Sequence, residues 1–480
     1  MLLGLVVVYL LFSIALGVAA GRKVHSASDY FTAGRSLPMF MVIAMVFATW
    51  FGAETVLGIS ATFLDEGFRG LISDPLGAAL CLVLFGLVFA LPLYRMKLLT
   101  LGDFFRIRYN HRTEMVLSTC IVLSYLGWVS AQVTALGLVF NVLSEGTISM
   151  LAGMVVGAAV VMVYTLVGGM WSVAVTTCVQ MVVIVIGLLL VTGSATSMAG
   201  GLGEVVAAAA AEGKFQWLPQ LDLIDMLAWT AALFTLALGS IPQQDVFQRV
   251  NTSKNERVAV WGTTIGGVAY FFFAAIPLIL VYSASMVDPL MTERLMESDT
   301  QLVLPSFVSL HMPFWLQVVF FGALLSVIMS TASSTLLAPS VTFTENILRN
   351  FLPDMNDQQL LLYTRWTVFV FTILVIINAA ASDGNIHHMV ENAYRVTLAG
   401  VFVPLAAGLF WRRASNFGCT LSITLGLGSW LLLEVAFPEV PFEPQFVGLG
   451  FSVLGMIGGS LLRPDPHSAK QNGVGHGSFG

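Results

Sequence analysis

Apolar stretches of about twenty residues recur along the whole chain, and this recurrence limits its fold more than any other feature. A bilayer-crossing helix needs about 20 predominantly apolar residues. Such stretches lie at 2–20, 39–62, 73–94, 114–142, 147–166, 171–198, 225–243, 257–284, 313–340, 361–381, 386–411, 417–436 and 445–462. Within hydrocarbon every backbone N–H and C=O must find a partner, which a helix provides inside one segment. Hydrophobic residues make up 57% of the 480 and charged residues 10%, whereas an ordinary soluble domain carries about 25% charged residues. That much apolar surface calls for lipid as its solvent. The expectation is an all-α, polytopic membrane protein of about thirteen transmembrane helices. The first stretch is long enough to span and has no basic segment before it, so it reads as a true helix and not as a signal peptide.

Basic residues give the spans a direction, because cytoplasmic loops are enriched in Lys and Arg. With alternate loops assigned to one side, seventeen of the 21 Lys and Arg fall there. Arg69, Lys214 and Arg294 fall on the other side, and Arg395 lies within a span. This predicts a multi-pass cell-membrane protein of the bacterial inner-membrane type, N-terminus outside and C-terminus cytoplasmic. Residues 200–224 read as a short surface helix and loop. The polar, glycine-rich stretch 464–480 reads as a disordered cytoplasmic tail. No soluble domain, nucleic-acid partner or required protein partner is expected. Cys81, Cys120, Cys178 and Cys419 fall in apolar spans without CxxC spacing and read as packing residues. The seven histidines show no metal-ligand spacing and no Walker loop is present, so neither an enzyme nor ATP drive is expected.

Two spans carry helix breakers. Ala48-Thr49-Trp50-Phe51-Gly52-Ala53-Glu54-Thr55 lies near the middle of 39–62, and Gly239-Ser240-Ile241-Pro242-Gln243 closes 225–243. Gly and Pro interrupt the backbone ladder, and the freed groups must be met by ions, substrate or water. The two breaks lie five helices apart, the spacing that an inverted five-plus-five repeat predicts for the first helix of each half.

Four motifs then stand in order along the chain: Asp29-Tyr30-Phe31-Thr32-Ala33-Gly34-Arg35-Ser36-Leu37-Pro38, Leu101-Gly102-Asp103-Phe104-Phe105, Tyr164-Thr165-Leu166-Val167-Gly168-Gly169-Met170-Trp171-Ser172-Val173, and Ile328-Met329-Ser330-Thr331-Ala332-Ser333-Ser334 leading to Thr344-Glu345-Asn346-Ile347. Together they resemble the sodium/solute symporter family. Thr49-Trp50, Gly239-Ser240-Ile241-Pro242 and Phe247-Gln248-Arg249-Val250 look closest to its high-affinity choline transporter branch. The resemblance implies the leucine-transporter fold, with ten core helices in two inverted repeats. Here that gives a leading helix and loop at 1–38, a core at 39–411 with repeats 39–198 and 225–411, two trailing helices at 412–463, and the tail.

The resemblance also implies a sodium site between the first and eighth core helices. Carried over by position, its carbonyl donors are Ala48, Phe51 and Val327, and its hydroxyl donors are Ser330 and Thr331. The residues themselves agree in part: Ser330, Thr331, Ser333, Ser334 and Thr335 crowd an otherwise apolar span. Such hydroxyls also commonly bond back to their own helix, which is the competing explanation. Many relatives carry an Asp after the Gly-Gly hinge, where this chain has Thr176-Thr177, so one sodium per cycle is expected.

For the solute, Trp50, Trp128, Gln243 and Gln244 are candidate contacts. Tryptophan faces attract organic cations by about 0.5–2 kcal/mol, although both rings also suit plain packing. Gln243 stands where the choline branch has a further Trp, which leaves the cage incomplete. Glu54 lies deep in a span, where a carboxylate costs roughly 2.5 kcal/mol or more unless it is paired or wet. It is expected either to pair with Arg395 or to bind a substrate cation, with Asp74 a weaker candidate. The function expected is sodium-coupled secondary symport of a small polar organic solute, with sodium ion as cofactor. Quaternary amines such as choline and amino acids both fit. The alternative is a membrane sensor or receptor module built on the same core.

Overall fold

A computed structural model describes residues 1–382, 384–437 and 443–465. The expected tail lies outside these residues beyond 465. Among the described residues there is no strand, only an isolated bridge between Leu37 and Ser253. All thirteen expected stretches fall on helix. Among the described residues nine helices can cross a membrane by length and composition, or ten when the pair Ile386–Gly400 and Phe402–Phe410, bent by 46°, counts as one span. The lower count has two causes. Met150–Met198 holds two expected stretches joined across a kink at Gly169, and the helical run Glu54–Arg95 joins two more across Gly67 and Asp74, while Met39–Trp50 and Leu223–Ala237 stop short at the expected breaks.

Both breaks have visible local causes. Met39–Trp50 ends at Phe51, whose φ of −84° and ψ of 74° leave the helix. Gly52 follows, and the chain resumes as a wide turn at Glu54–Gly58 and then Ile59–Glu66. A Cβ on Gly52 would sit 2.3 Å from Glu54 Oε2, so the backbone approaches the carboxylate as closely as it does because the side chain is a hydrogen. The second break follows Leu223–Ala237 and ends at Gln244–Thr252. Pro242 within it has no N–H to give to a ladder.

The four motifs meet in pairs. Tyr30 donates its hydroxyl to the Thr165 carbonyl at 2.8 Å, and its ring covers Gly169. That glycine has φ 48° and ψ −132° inside Met150–Met198, and a Cβ there would lie 2.6 Å from Tyr30 atoms. Positive φ and this close approach both demand glycine. At the second meeting point Asn346 donates to Asp103 at 3.1 Å and to Glu114 at 2.9 Å, with Arg106 alongside both acids at 3.1 and 3.4 Å. Gly102 lies directly under Asn346, where a Cβ would come within 2.2 Å.

Phe314–Phe343, the hydroxyl-rich helix, is the hub. It packs against Met150–Met198, His111–Leu143 and Met39–Trp50. Leu2–Gly21 leans on Met150–Met198, with Ser172 donating to the Gly17 carbonyl. Asn416–Ala436 and Pro444–Leu462 pack chiefly against each other. Gly418, Gly455 and Gly459 let their backbones approach, and Gly426 lets the first of the two approach Ala399, as small residues do between membrane helices.

Candidate functional site

A helix that stops early leaves carbonyls without their usual donors four residues on. The Phe51 N–H still reaches the Phe47 carbonyl at 2.9 Å, but the next carbonyl, Ala48, is met from another helix. Ser330 Oγ lies 2.8 Å from it and Thr331 Oγ1 3.3 Å. Ser330 Oγ is also 2.9 Å from the Val327 carbonyl. One hydroxyl proton cannot serve two carbonyls at once. The result is a compact group of oxygens with lone pairs to spare, the donor set a small hard cation takes. Ala48, Val327, Ser330 and Thr331 are brought together here, and Phe51 stands beside them at the end of the broken helix. Next to this group Thr49 Oγ1 bonds Ser334 Oγ at 3.1 Å and accepts from Arg249 Nη2 at 3.0 Å.

Beside the break lies a buried aromatic cluster. Trp50 meets Trp128 edge-on, with centroids 5.4 Å apart, and stacks on Tyr394 at 6.2 Å. Trp128 contacts Tyr394 at 5.6 Å and stacks on Tyr125 at 6.0 Å. Glu54 is held firmly at its edge: Oε1 accepts from Trp128 Nε1 at 3.1 Å and Oε2 from Gln132 Nε2 at 2.6 Å. Gln132 in turn accepts from the Ala53 N–H at 3.0 Å, so it ties the broken backbone to His111–Leu143. Asp74 is buried and accepts from the Tyr270 hydroxyl, which also lies 3.3 Å from Thr55 Oγ1.

Arg395 does not reach Glu54. It pairs with Glu434 at 3.0 Å and Glu443 at 3.8 Å, both on or beside the trailing helices. Those helices cover Ile386–Gly400 and offer acids nearer than the one across the core. Gln243 does join the site, donating to Ser124 Oγ at 3.0 Å, one residue from Tyr125. Gln244 turns elsewhere: its Oε1 accepts from the Leu101 N–H at 2.9 Å and its Nε2 reaches the Leu99 carbonyl at 3.4 Å. It fastens the start of Leu101–Arg108 and does not face the aromatic cluster. At the Thr176-Thr177 position, Thr176 bonds the Ser172 carbonyl at 2.8 Å, and Thr177 Oγ1 is buried without a partner among the described residues.

Several participants escaped the reading of the sequence, Tyr125 and Gln132 among them. Asp245 accepts the Tyr125 hydroxyl at 2.5 Å, Tyr394 closes the aromatic cluster, and Arg249 is wholly buried. A charged pair four residues apart directly after a helix break was the available signal for Asp245 and Arg249.

Residues 30–426 match the profile of the sodium:solute symporter family. The chain is 29% identical to the human high affinity choline transporter 1 over 89% of this chain and 75% of that one. It is 25% identical to the high-affinity choline transporter 1 of Caenorhabditis elegans, covering 89% and 77%. Against the sodium/glucose cotransporter of Vibrio parahaemolyticus it is 23% identical, covering 92% and 86%. Its fold is shared with a Na+-coupled sialic acid symporter solved in a substrate-bound outward-open state, at a TM-score of 0.82 and 18% identity over 97% and 98% of the two chains.

Proposed function

The chain belongs to the sodium:solute symporter family, and from that premise we propose that it moves one small polar organic solute into the cell with one sodium ion per cycle. Sodium-coupled symport is the work of the family. The stoichiometry, the solute and the residues are our reading. The observation that carries it is the convergence of Ser330 and Thr331 on the Ala48 carbonyl at the end of a broken helix. A cation there would replace hydrogen bonds between two helices with ion–oxygen contacts, so its arrival and departure would change how they pack. Ala48, Phe51, Val327, Ser330 and Thr331 would hold it.

The solute would sit against Trp50 and Trp128, with Gln243 at one side and Glu54 fixing the Trp128 ring. Gln244 and Arg395 act as structural ties in this reading, not as solute contacts. Thr177 supplies no carboxylate for a second ion, which favours a single sodium. The protein would lie in a bacterial-type cell membrane, N-terminus outside and C-terminus cytoplasmic.

The test is uptake by proteoliposomes of choline, betaine, proline, sugars and carboxylates under an inward sodium gradient. At least one of these should accumulate above its equilibrium level with sodium outside and should fail to do so when potassium replaces it. Equal uptake with and without sodium would refute the coupling.

A further inference from the structure

We propose that Asp245 and Tyr394 receive a protonated amine, and that the solute therefore carries at least one N–H on its cationic nitrogen. This rests on the reading of the aromatic cluster as the solute site of a symporter.

Three buried acids lie around the two breaks: Glu54, Asp74 and Asp245. Glu54 has both oxygens occupied, by Trp128 and Gln132. Asp74 receives the Tyr270 hydroxyl. Asp245 is different. Its Oδ1 takes the Tyr125 hydroxyl, while its Oδ2 is buried with no partner among the described residues. The Tyr394 hydroxyl is buried and unpartnered in the same way. Both orphaned atoms belong to the aromatic cluster. Tyr394 stacks on Trp50 and touches Trp128, Tyr125 stacks on Trp128 and holds Asp245 through its hydroxyl, and the Trp50 side chain also approaches Asp245 as a donor.

Among the described residues no donor stands within hydrogen-bond distance of Oδ2, the Trp50 indole and the Nε and Nη1 groups of Arg249 being the nearest candidates. Asp245 makes no ion pair among the described residues, and Arg249, one turn on, offsets its charge from a distance while donating to Thr49. Asp245 sits in the first turn of Gln244–Thr252, where the helix end favours an ionised carboxylate. A buried carboxylate oxygen left without a donor is costly. The ring faces attract a cation of any kind. An ammonium held against the rings gives one N–H to Oδ2 and, where it carries a second, another to the Tyr394 oxygen. A quaternary nitrogen satisfies the rings alone and leaves Oδ2 unserved.

The experiment uses the full chain, purified in detergent with sodium, and measures binding of ethanolamine, N-methylethanolamine, N,N-dimethylethanolamine and choline. The four share one hydroxyl and differ in carrying three, two, one and no N–H. The N–H-bearing members are expected to bind about tenfold or more tighter than choline, as loss of a charge-assisted hydrogen bond implies. Asp245→Asn should flatten the series, and Tyr394→Phe, which removes a single hydroxyl, should narrow it. Sodium-dependent thermal stabilisation of each variant reports an intact fold and the ion site independently. Choline binding as tightly as the others, no binding by any member, or an undiminished gap in Asp245→Asn would overturn the proposal. Loss of sodium stabilisation in the unmodified protein would count against sodium coupling instead and leave the amine ranking readable.

Discussion

Ser330 sits between two carbonyls, Ala48 and Val327, with a single proton to give. Replacing Ser330 and Thr331 together by Ala leaves Ala48 facing two methyl groups. The half-saturating sodium concentration should then rise at least about tenfold, equivalent to about 1.4 kcal/mol, in a sodium titration of uptake. Unchanged sodium affinity would remove both hydroxyls from the site. Glu54 calls for a separate measurement, because both its oxygens accept. In Glu54→Gln one acceptor becomes an amide donor facing the Trp128 or Gln132 N–H, so either the ring or Gln132, which ties the break to His111–Leu143, loses its partner. Solute uptake should fall about tenfold or more while sodium affinity shifts much less. Kinetics equal to the parent protein would make Glu54 a packing residue. At this scale the sequence was legible where chemistry clusters locally: of five hydroxyls within six positions, Ser330 and Thr331 meet the Ala48 carbonyl, while Ser333 and Thr335 bond back to their own helix. It was not legible where partners lie far apart in the chain. Arg395 and Glu434 are joined by the packing of a trailing helix that residue types alone do not locate, and Gln243 and Gln244, adjacent and chemically identical, point to different places.

Helices in this protein are shaped by where they stop or bend. The Gly-Gly hinge marks a kink between two helical segments within Met150–Met198, and Gly169 alone carries the non-helical φ and ψ. Gly169→Ala adds left-handed backbone strain of about 1–2 kcal/mol and a Cβ in contact with Tyr30. The melting temperature of the purified protein should drop by several degrees and uptake should weaken. A variant with parental melting and uptake would show that the bend is not needed. Both breaks could be read from Gly and Pro because those residues act on the backbone directly. What the breaks hold could not be read, because Gln132 and Arg249, which bind across them, lie on other elements. The motif pairs follow the same logic. Gly102 and Asn346 are 244 positions apart, yet the glycine is explained only by the asparagine above it.

Across the whole molecule, hydropathy made the all-helical membrane class evident, since lipid demands long apolar helices. The number of crossings was less evident, because kinks and not loops separate some neighbouring stretches, and broken helices fall short of a full span. Loop charge sets the expected direction, and exposed positions test it. With single cysteines at Arg294 and Arg412, both exposed, a membrane-impermeant maleimide should label the first in intact cells and the second only after permeabilisation. The reverse pattern would invert the topology. The central claim is that solute and sodium cross together, one with one. Its most direct test is the simultaneous flux of radiolabelled sodium and of an accumulated solute in the same proteoliposomes. Adding solute outside should draw in sodium at a ratio of about one to one, and Ser330→Ala with Thr331→Ala should suppress both fluxes together. Solute entry that draws in no sodium would contradict the account.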